Sequence, residues 1–175
     1  MVRNPIELPC VIVDAACLID LWRSTLLGQV MLLHHLAVAL PVWHCSNLSI
    51  IPQSVRDELR ASGFEVVDLD GSQCTRAIME RAKYPALAPE ECFSLILAGD
   101  RPQAFFAATD PHLRTICEKH FQFNLRTPLW LVDNAMKSIE IPEVHLAHGL
   151  SVCRRRAALT DIADLIEANL RSARP

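Results

Sequence analysis

Residues 10–20, with the sequence CVIVDAACLID, carry the clearest indication of fold class in the chain. The run Val11, Ile12, Val13 is apolar without alternation, which is typical of a strand buried on both faces of a parallel sheet. Asp14 follows at the point where such a strand gives way to a helix. An aspartate there suits a helix N-cap, but the carboxyl ends of strands in α/β sheets are also where ligands bind. The stretch therefore predicts an α/β sheet and leaves two roles open for Asp14.

Strands and helices are predicted to alternate along the rest of the chain. Apolar runs predict strands at residues 48–51, 64–69, 104–109 and 121–127. Helix-forming runs bounded by proline and glycine predict helices at residues 15–22, 29–39, 52–61, 72–84, 89–99, 111–119 and 128–139, followed by 142–150 and 160–170. Alternation of this kind predicts a three-layer α/β/α sandwich with a mostly parallel central sheet. We expect one core domain at residues 1–140 and a C-terminal helical extension, residues 141–175, packed on it.

Composition limits the classes of protein to which the chain can belong. Its 175 residues are 51% hydrophobic and carry a formal net charge of -3, so binding of nucleic acid would need a local basic patch. The seven cysteines include no C-x-x-C pair, which is a poor disulfide framework and favours a reducing cytoplasm. The apolar stretches are too short for a membrane span. These features predict a soluble cytoplasmic protein.

Several acidic residues are predicted to meet at one edge of the sheet. Asp14 and Asp110 end predicted strands, while Glu58 and one of Glu90 or Glu91 lie near helix starts or buried helix edges. Two carboxylates about 4 Å apart repel by roughly 4 kcal/mol at an effective dielectric constant of about 20, so such a cluster requires a cation. Oxygen ligands select hard cations, which predicts Mg²⁺ or Mn²⁺ as the cofactor.

Four segments of the chain carry a resemblance to a known family. In order they are VIVDAACLIDL, IPQSVRDEL, LAPEECFSLILA and AATDPHLR, and together they resemble the motifs of the PIN domain. The resemblance covers about residues 11–135. It implies a metal-dependent endoribonuclease that hydrolyses RNA phosphodiester bonds, as in the toxin half of VapBC-type toxin–antitoxin pairs. RNA as substrate and an antitoxin protein as partner follow as expectations.

The resemblance also implies which residues perform the reaction. Between the adjacent acids Glu90 and Glu91 it selects Glu91. By their position beside Asp110, Thr109 and Arg114 are the candidate RNA-binding residues: the Arg114 guanidinium would contact a phosphate, and the Thr109 hydroxyl could hold a metal-bound water. The catalytic and metal-binding carboxylates that the resemblance implies are Asp14, Glu58, Glu91 and Asp110.

Departures from the family pattern keep a second function open. Ala15 and Ala16 follow the first aspartate, where the family usually has serine or threonine, and Pro111 replaces the second acid of the T-D-D turn. The alternative is therefore a PIN-like module that binds RNA or a protein without cutting. The amphipathic helix predicted at residues 160–170 would suit a homodimer or antitoxin interface. Another phosphoryl-handling enzyme is disfavoured because no G-x-x-x-x-G-K-[ST] or G-x-G-x-x-G motif occurs.

Overall fold

A computed structural model describes residues 8–172 and shows an α/β fold built on one parallel sheet. The five strands lie in the order β3-β2-β1-β4-β5, and every neighbouring pair is parallel. Their bounds are β1 Cys10–Val13, β2 His35–Ala39, β3 Glu65–Val67, β4 Phe105–Ala107 and β5 Asn124–Arg126. The central strand β1 has three fully buried apolar residues, as its unbroken apolar run predicts. The predicted α/β class and parallel sheet are confirmed.

Helices flank this sheet and contribute most of the rest of the core. Helix α6 lies against β1 and β2, and its residues Cys92 and Ser94 through Ala98 are buried, which confirms the prediction of a helix enclosed between other elements. The helices are α1 Ala15–Arg23, α2 Leu27–Met31, α3 Leu40–Trp43, α4 Gln53–Ala61, α5 Gly71–Lys83, α6 Pro89–Asp100, α7 Pro111–His120, α8 Pro128–Ser138, α9 Glu143–Cys153 and α10 Thr160–Ser172.

The helix predicted at residues 29–39 is wrong. Only the short α2 is helical there, and β2 follows it as the strand between β1 and β3. Because β2 is enclosed by neighbours, residues Leu36 to Ala39 are all buried and show no alternation that could mark a strand. Pro41, which follows the predicted helix and was expected to bound it, lies in the first turn of α3.

The strand predicted at residues 48–51 is also wrong. Ser46–Ile50 form a 3-10 helix, in which the Ser49 hydroxyl donates to the Ser46 carbonyl over 2.6 Å. Leu48 and Ile51 are fully buried, so the apolar pattern reflects two anchoring side chains rather than a strand. Local side-chain to backbone hydrogen bonds of serine compete in this way with regular structure.

The strand order creates a topological switch point between β1 and β4. From β1 the chain moves outward through β2 to β3, then crosses back to β4 on the other side of β1. Ligands of open α/β sheets bind outside the carboxyl ends of the strands at such a point. Asp14 follows β1 there, and Thr109 and Asp110 follow β4 at the same edge.

The C-terminal helices α9 and α10 pack against the rest of the chain. Helix α9 approaches the turn after α1, where Thr25 has a positive φ of 65° and its carbonyl oxygen lies 3.2 Å from His145 Nε2. Gly149 lies against the same turn, and Ile162 and Ile166 of α10 belong to the one hydrophobic core.

Among residues 8–172, no single helix is long and apolar enough to cross a membrane. By length and composition alone, the pair Ala15–Arg23 and Leu27–Leu33 would reach the required span together, but the two are bent by 113°.

Candidate functional site

Asp14 is a buried carboxylate at the switch point, with 2% of its surface exposed. The backbone N–H of Cys17 donates to its Oδ1 over 2.5 Å, so Asp14 is the N-cap of α1 as its position predicts. The backbone N–H of Thr109 donates to its Oδ2 over 3.2 Å. Burial raises the pKa of Asp14 to about 7 against these two hydrogen bonds, and the negative charges of Glu91 and Asp20 add to the rise. Both roles suggested by the sequence therefore remain compatible with this geometry.

Thr109 connects Asp14 to a second buried acid that the sequence did not single out. The Thr109 hydroxyl lies 3.4 Å from Oδ2 of Asp20, a residue of α1 that is 8% exposed. Burial is the main cause of the raised pKa of Asp20, and the Thr109 hydroxyl opposes it. Thr109, predicted to bind RNA, thus uses its backbone N–H and its hydroxyl to link the two carboxylates.

Glu91 lies beside Asp14 at the start of α6. The backbone N–H of Ala88 donates to Glu91 Oε2 over 2.6 Å and fixes the carboxylate in the first helical turn. Burial raises the pKa of Glu91, and the neighbouring negative charges of Asp110 and Glu90 raise it further. The negative charge of Glu91 contributes to the raised pKa of Asp14, and that of Asp110 contributes to the raised pKa of Glu91.

Asp14, Glu90 and Glu91 line the same small pocket, whose volume of about 70 Å³ can hold an ion with several waters. Asn47 Nδ2 donates to Glu90 Oε1 over 3.2 Å at its edge. The other lining residues are Ala15, Ala16, Ala88 and Ser94. Ser94 is buried, and its hydroxyl donates to the backbone carbonyl of Glu90 over 3.3 Å.

Asp110 is half-buried and caps α7. The backbone N–H of Leu113 donates to its Oδ1 over 2.8 Å, and Pro111 occupies the first turn of the helix. This is the N-cap arrangement that an aspartate followed by a proline favours. Its negative charge contributes to the raised pKa of Glu91, but Asp110 itself does not line the pocket.

Glu58 is not brought to this group. It is exposed on α4, does not line the pocket, and forms no side-chain hydrogen bond or ion pair with the described part of the chain. The half-buried face of α4 carries Val55 and Leu59, and no residue of this helix is fully buried. The metal-binding role that the resemblance implies for Glu58 therefore stays a prediction without support from the geometry.

Arg114, the other predicted RNA contact, is occupied by protein groups. Its Nη1 donates to the carbonyl oxygens of Arg126 over 2.9 Å and Ala108 over 3.3 Å, at the ends of β5 and β4. Its Nη2 lies 3.8 Å from Glu118. The guanidinium therefore joins two strand ends and leaves little capacity for a phosphate.

The carboxylate oxygens at this edge of the sheet are of the type that a hard cation prefers, but they are too far apart to bind one ion together. A carboxylate has about four lone-pair sites, and the cap hydrogen bonds of Asp14, Glu91 and Asp110 use only one or two each. A cation beside the buried Asp14 would also offset the cost of ionising it. Within residues 8–172, however, no group of three or more His, Cys, Asp or Glu side chains is close enough to hold a metal ion. The three carboxylates would have to move together to share one ion.

A larger cavity of about 390 Å³ lies on the other side of Thr109. Asp20, Thr109 and Arg114 line its wall on the α/β core, and Ala158, Asp161 and Ile162 line it from the C-terminal region. This cavity is of the size that small ligands occupy in proteins. It therefore combines residues of the core with residues of the C-terminal extension.

No protein-family model, no curated protein and no solved structure matches this chain in the three comparisons.

Proposed function

We propose that this chain is a PIN-like, metal-dependent endoribonuclease whose cation is held by Asp14, Glu91 and Asp110. The observation that carries the proposal is the buried Asp14 at the switch point, with a pKa raised to about 7 and with Glu91 beside it. Burying an unpaired carboxylate is unfavourable, so its persistence at a ligand-binding edge argues for a positively charged ligand. The sequence resemblance, rather than the geometry, supports RNA as the substrate and an antitoxin as partner.

The protein groups would act mainly by holding the acids in place. The N–H groups of Cys17 and Thr109 orient the two oxygens of Asp14, and the N–H of Ala88 orients Glu91. Mg²⁺ or Mn²⁺, when bound, supplies Lewis-acid polarisation of water and neutralises charge that develops on a phosphoryl group. The protein need not contribute a nucleophilic side chain to this reaction. Hydrolysis then adds water across a P–O bond of the RNA backbone.

Cleavage of a labelled RNA in the presence of Mn²⁺ tests the proposal. We expect Asp14→Asn and Glu91→Gln to lower the rate to that of the wild type in EDTA, because each removes a cation-binding carboxylate. Glu58→Gln is the matched control, since Glu58 is exposed and outside the pocket. Its rate should stay near that of the wild type. Cleavage by Asp14→Asn at the wild-type rate would reject the assignment.

The alternative is a PIN-like module that binds RNA or a protein without cutting. The distances favour it, because no described group of acids is close enough to hold an ion. Calorimetric titration with Mn²⁺ separates the two functions. A non-catalytic module should show no metal binding that depends on Asp14 and Glu91, and its affinity for RNA should be the same in EDTA.

A further inference from the structure

The 390 Å³ cavity beside Thr109 has walls that are unsuited to a phosphate. Three carboxylates line it, from Asp20, Glu118 and Asp161. Among residues 8–172, Arg114 is the one cationic side chain that lines it, and its guanidinium already contacts two carbonyl oxygens and Glu118. The lining therefore has an excess of negative charge and of hydrogen-bond acceptors. A ligand that enters must offer donors rather than negative charge.

Asp20 is the acceptor on which recognition would depend. It is 8% exposed, and Oδ2 is near the Thr109 hydroxyl at 3.4 Å. Oδ1 has no hydrogen-bond partner among residues 8–172. The Asp20 carboxylate as a whole is buried at the wall of the cavity, so a donor that reaches this second oxygen would offset part of the cost of ionising it there. The two oxygens of Asp20 together suit a ligand with two adjacent hydrogen-bond donors, one for each oxygen.

The remaining walls offer apolar surface against which the face of a planar base can pack. Pro111, Leu129 and Ile162 contribute apolar surface, and Thr109 and Thr127 contribute hydroxyl oxygens. Among the RNA bases, only guanine presents two adjacent donors on its Watson–Crick edge, N1–H and the N2 amino group. Adenine and cytosine present one amino group beside an acceptor, and uracil one N–H between two acceptors. A carboxylate therefore pairs with guanine through two hydrogen bonds.

The cavity also adjoins the acids of the proposed nuclease site. Thr109 contributes to the cavity and donates its backbone N–H to Asp14. Pro111 lines the cavity directly after Asp110. A base in the cavity would therefore belong to a nucleotide close to the phosphate at those acids.

We propose that the cavity between the core and the C-terminal extension binds a guanine base, with the Asp20 carboxylate accepting from N1–H and the N2 amino group. This inference rests on the proposed ribonuclease function for its assignment to RNA. It makes guanine the preferred base next to the cleaved bond. It also gives α10 a role, because Asp161 and Ile162 of that helix form one wall.

The test compares two short labelled RNA oligonucleotides that differ in one position, guanosine in one and inosine in the other. Inosine lacks the N2 amino group and so loses one hydrogen bond to a charged acceptor. Binding is measured by fluorescence anisotropy with the full chain, in EDTA at pH 8. We expect the guanosine oligonucleotide to bind about 10- to 100-fold more tightly. Equal affinities would overturn the proposal.

Protein variants test whether Asp20 causes the preference for guanosine. Asp20→Asn should remove the preference for guanosine, because an amide cannot accept from both donors. Asp164→Asn is the matched control, since it removes the same charge from an exposed position on α10 that does not line the cavity. It should keep the full preference. If Asp20→Asn unfolds, the comparison of guanosine with inosine on the wild type still decides.

Further arms identify the source of the base. If the guanosine oligonucleotide binds more tightly than GMP, the site is assigned to RNA. If GMP binds more tightly, the site is assigned to a free nucleotide. Binding of an arginine-rich peptide, with no binding of either guanine compound, would overturn the proposal in favour of a protein partner. A wild-type protein that cleaves RNA in Mn²⁺ but shows no preference for guanosine rejects the guanine site alone. A retained preference without cleavage rejects only the nuclease.

Discussion

Asp14 combines two contributions of opposite sign to stability. Its hydrogen bonds from the N–H groups of Cys17 and Thr109 stabilise the start of α1 and the end of β4. Its charge is unfavourable because the side chain is 2% exposed and Glu91 is close. The pKa of about 7 shows that burial outweighs the hydrogen bonds in this balance. The residue is therefore kept at a cost that a cation would offset.

The pKa of Asp14 leads to a prediction about stability without metal. Because the folded value of about 7 is above the unfolded value, this group stabilises the fold below about pH 4, and the contribution is lost as pH rises through 7. The loss is at most about 4 kcal/mol. In EDTA, Asp14→Asn should be at least as stable as the wild type at pH 8 and should lose less stability between pH 5 and 8. Urea unfolding across this pH range measures it, and identical pH profiles would contradict the assigned cause.

The candidate site could be predicted from the sequence only where its signals are local. Asp14 and Asp110 each follow an apolar run, and the pair Glu90 and Glu91 opens an apolar helix, so each signal lies within a few residues. The choice of Glu91 over Glu90 rests on the family resemblance. Asp20 has no such signal. Its partner Thr109 is 89 residues away in sequence, and only the pairing of β1 with β4 brings the two together.

At the scale of elements, helix α9 is fixed by a close approach to the turn after α1. A Cβ on Gly149 would lie 3.0 Å from the Ser24 carbonyl oxygen and 3.1 Å from Thr25 Oγ1. The carbonyl belongs to a backbone that already has a positive φ at Thr25, so it has little freedom to move. The glycine therefore allows the C-terminal extension to pack on the core.

This packing predicts that Gly149→Ala destabilises the protein by about 1 to 3 kcal/mol, as overpacking does. Gly99→Ala is the control, because a Cβ at Gly99 meets nothing within 4 Å. It should leave stability unchanged or raise it by about 0.5 to 1 kcal/mol through the helix preference of alanine. Urea unfolding of both variants measures the difference. A Gly149→Ala variant as stable as the wild type would show that the turn after α1 moves to accommodate the added methyl group without cost.

The elements predicted wrongly from the sequence are those in which burial removes the alternation of apolar and polar residues. β2 is enclosed by two strands, so residues 36–39 are apolar throughout and read equally well as a helix. Leu48 and Ile51 are buried anchors of a 3-10 helix, and their apolar character imitates a strand. Helices with a clear local pattern were predicted to within a few residues. These are the amphipathic α10 and the helices that begin with a proline, α6, α7 and α8.

For the whole molecule, stability should depend on pH in two opposite directions. The raised pKa values of Asp14, Asp20 and Glu91 reduce stability as pH rises. His34 acts in the other direction, since burial lowers its pKa and neither ring nitrogen has a hydrogen-bond partner among residues 8–172. A histidine that is neutral when folded loses stability as pH falls below its unfolded value of about 6.5.

His34→Leu should therefore weaken the loss of stability between pH 7 and 5, because an apolar side chain has no proton to bind. His34 is 3% exposed and its ring lies 5.7 Å from that of Trp130, so leucine suits the site in character. His44→Gln, at an exposed position, is the control and should follow the wild type. Thermal unfolding at several pH values measures both. If His34→Leu loses as much stability on acidification as the wild type, another group causes the decline.

The function proposed for the molecule depends on one cation at the switch point of the sheet. Diffraction from a crystal soaked in Mn²⁺, collected at a wavelength where manganese scatters anomalously, tests this most directly. We expect an anomalous peak in contact with the carboxylates of both Asp14 and Glu91, with Asp110 drawn toward it. A protein that cleaves RNA in Mn²⁺ but shows no peak between those two carboxylates would contradict the proposed cation site.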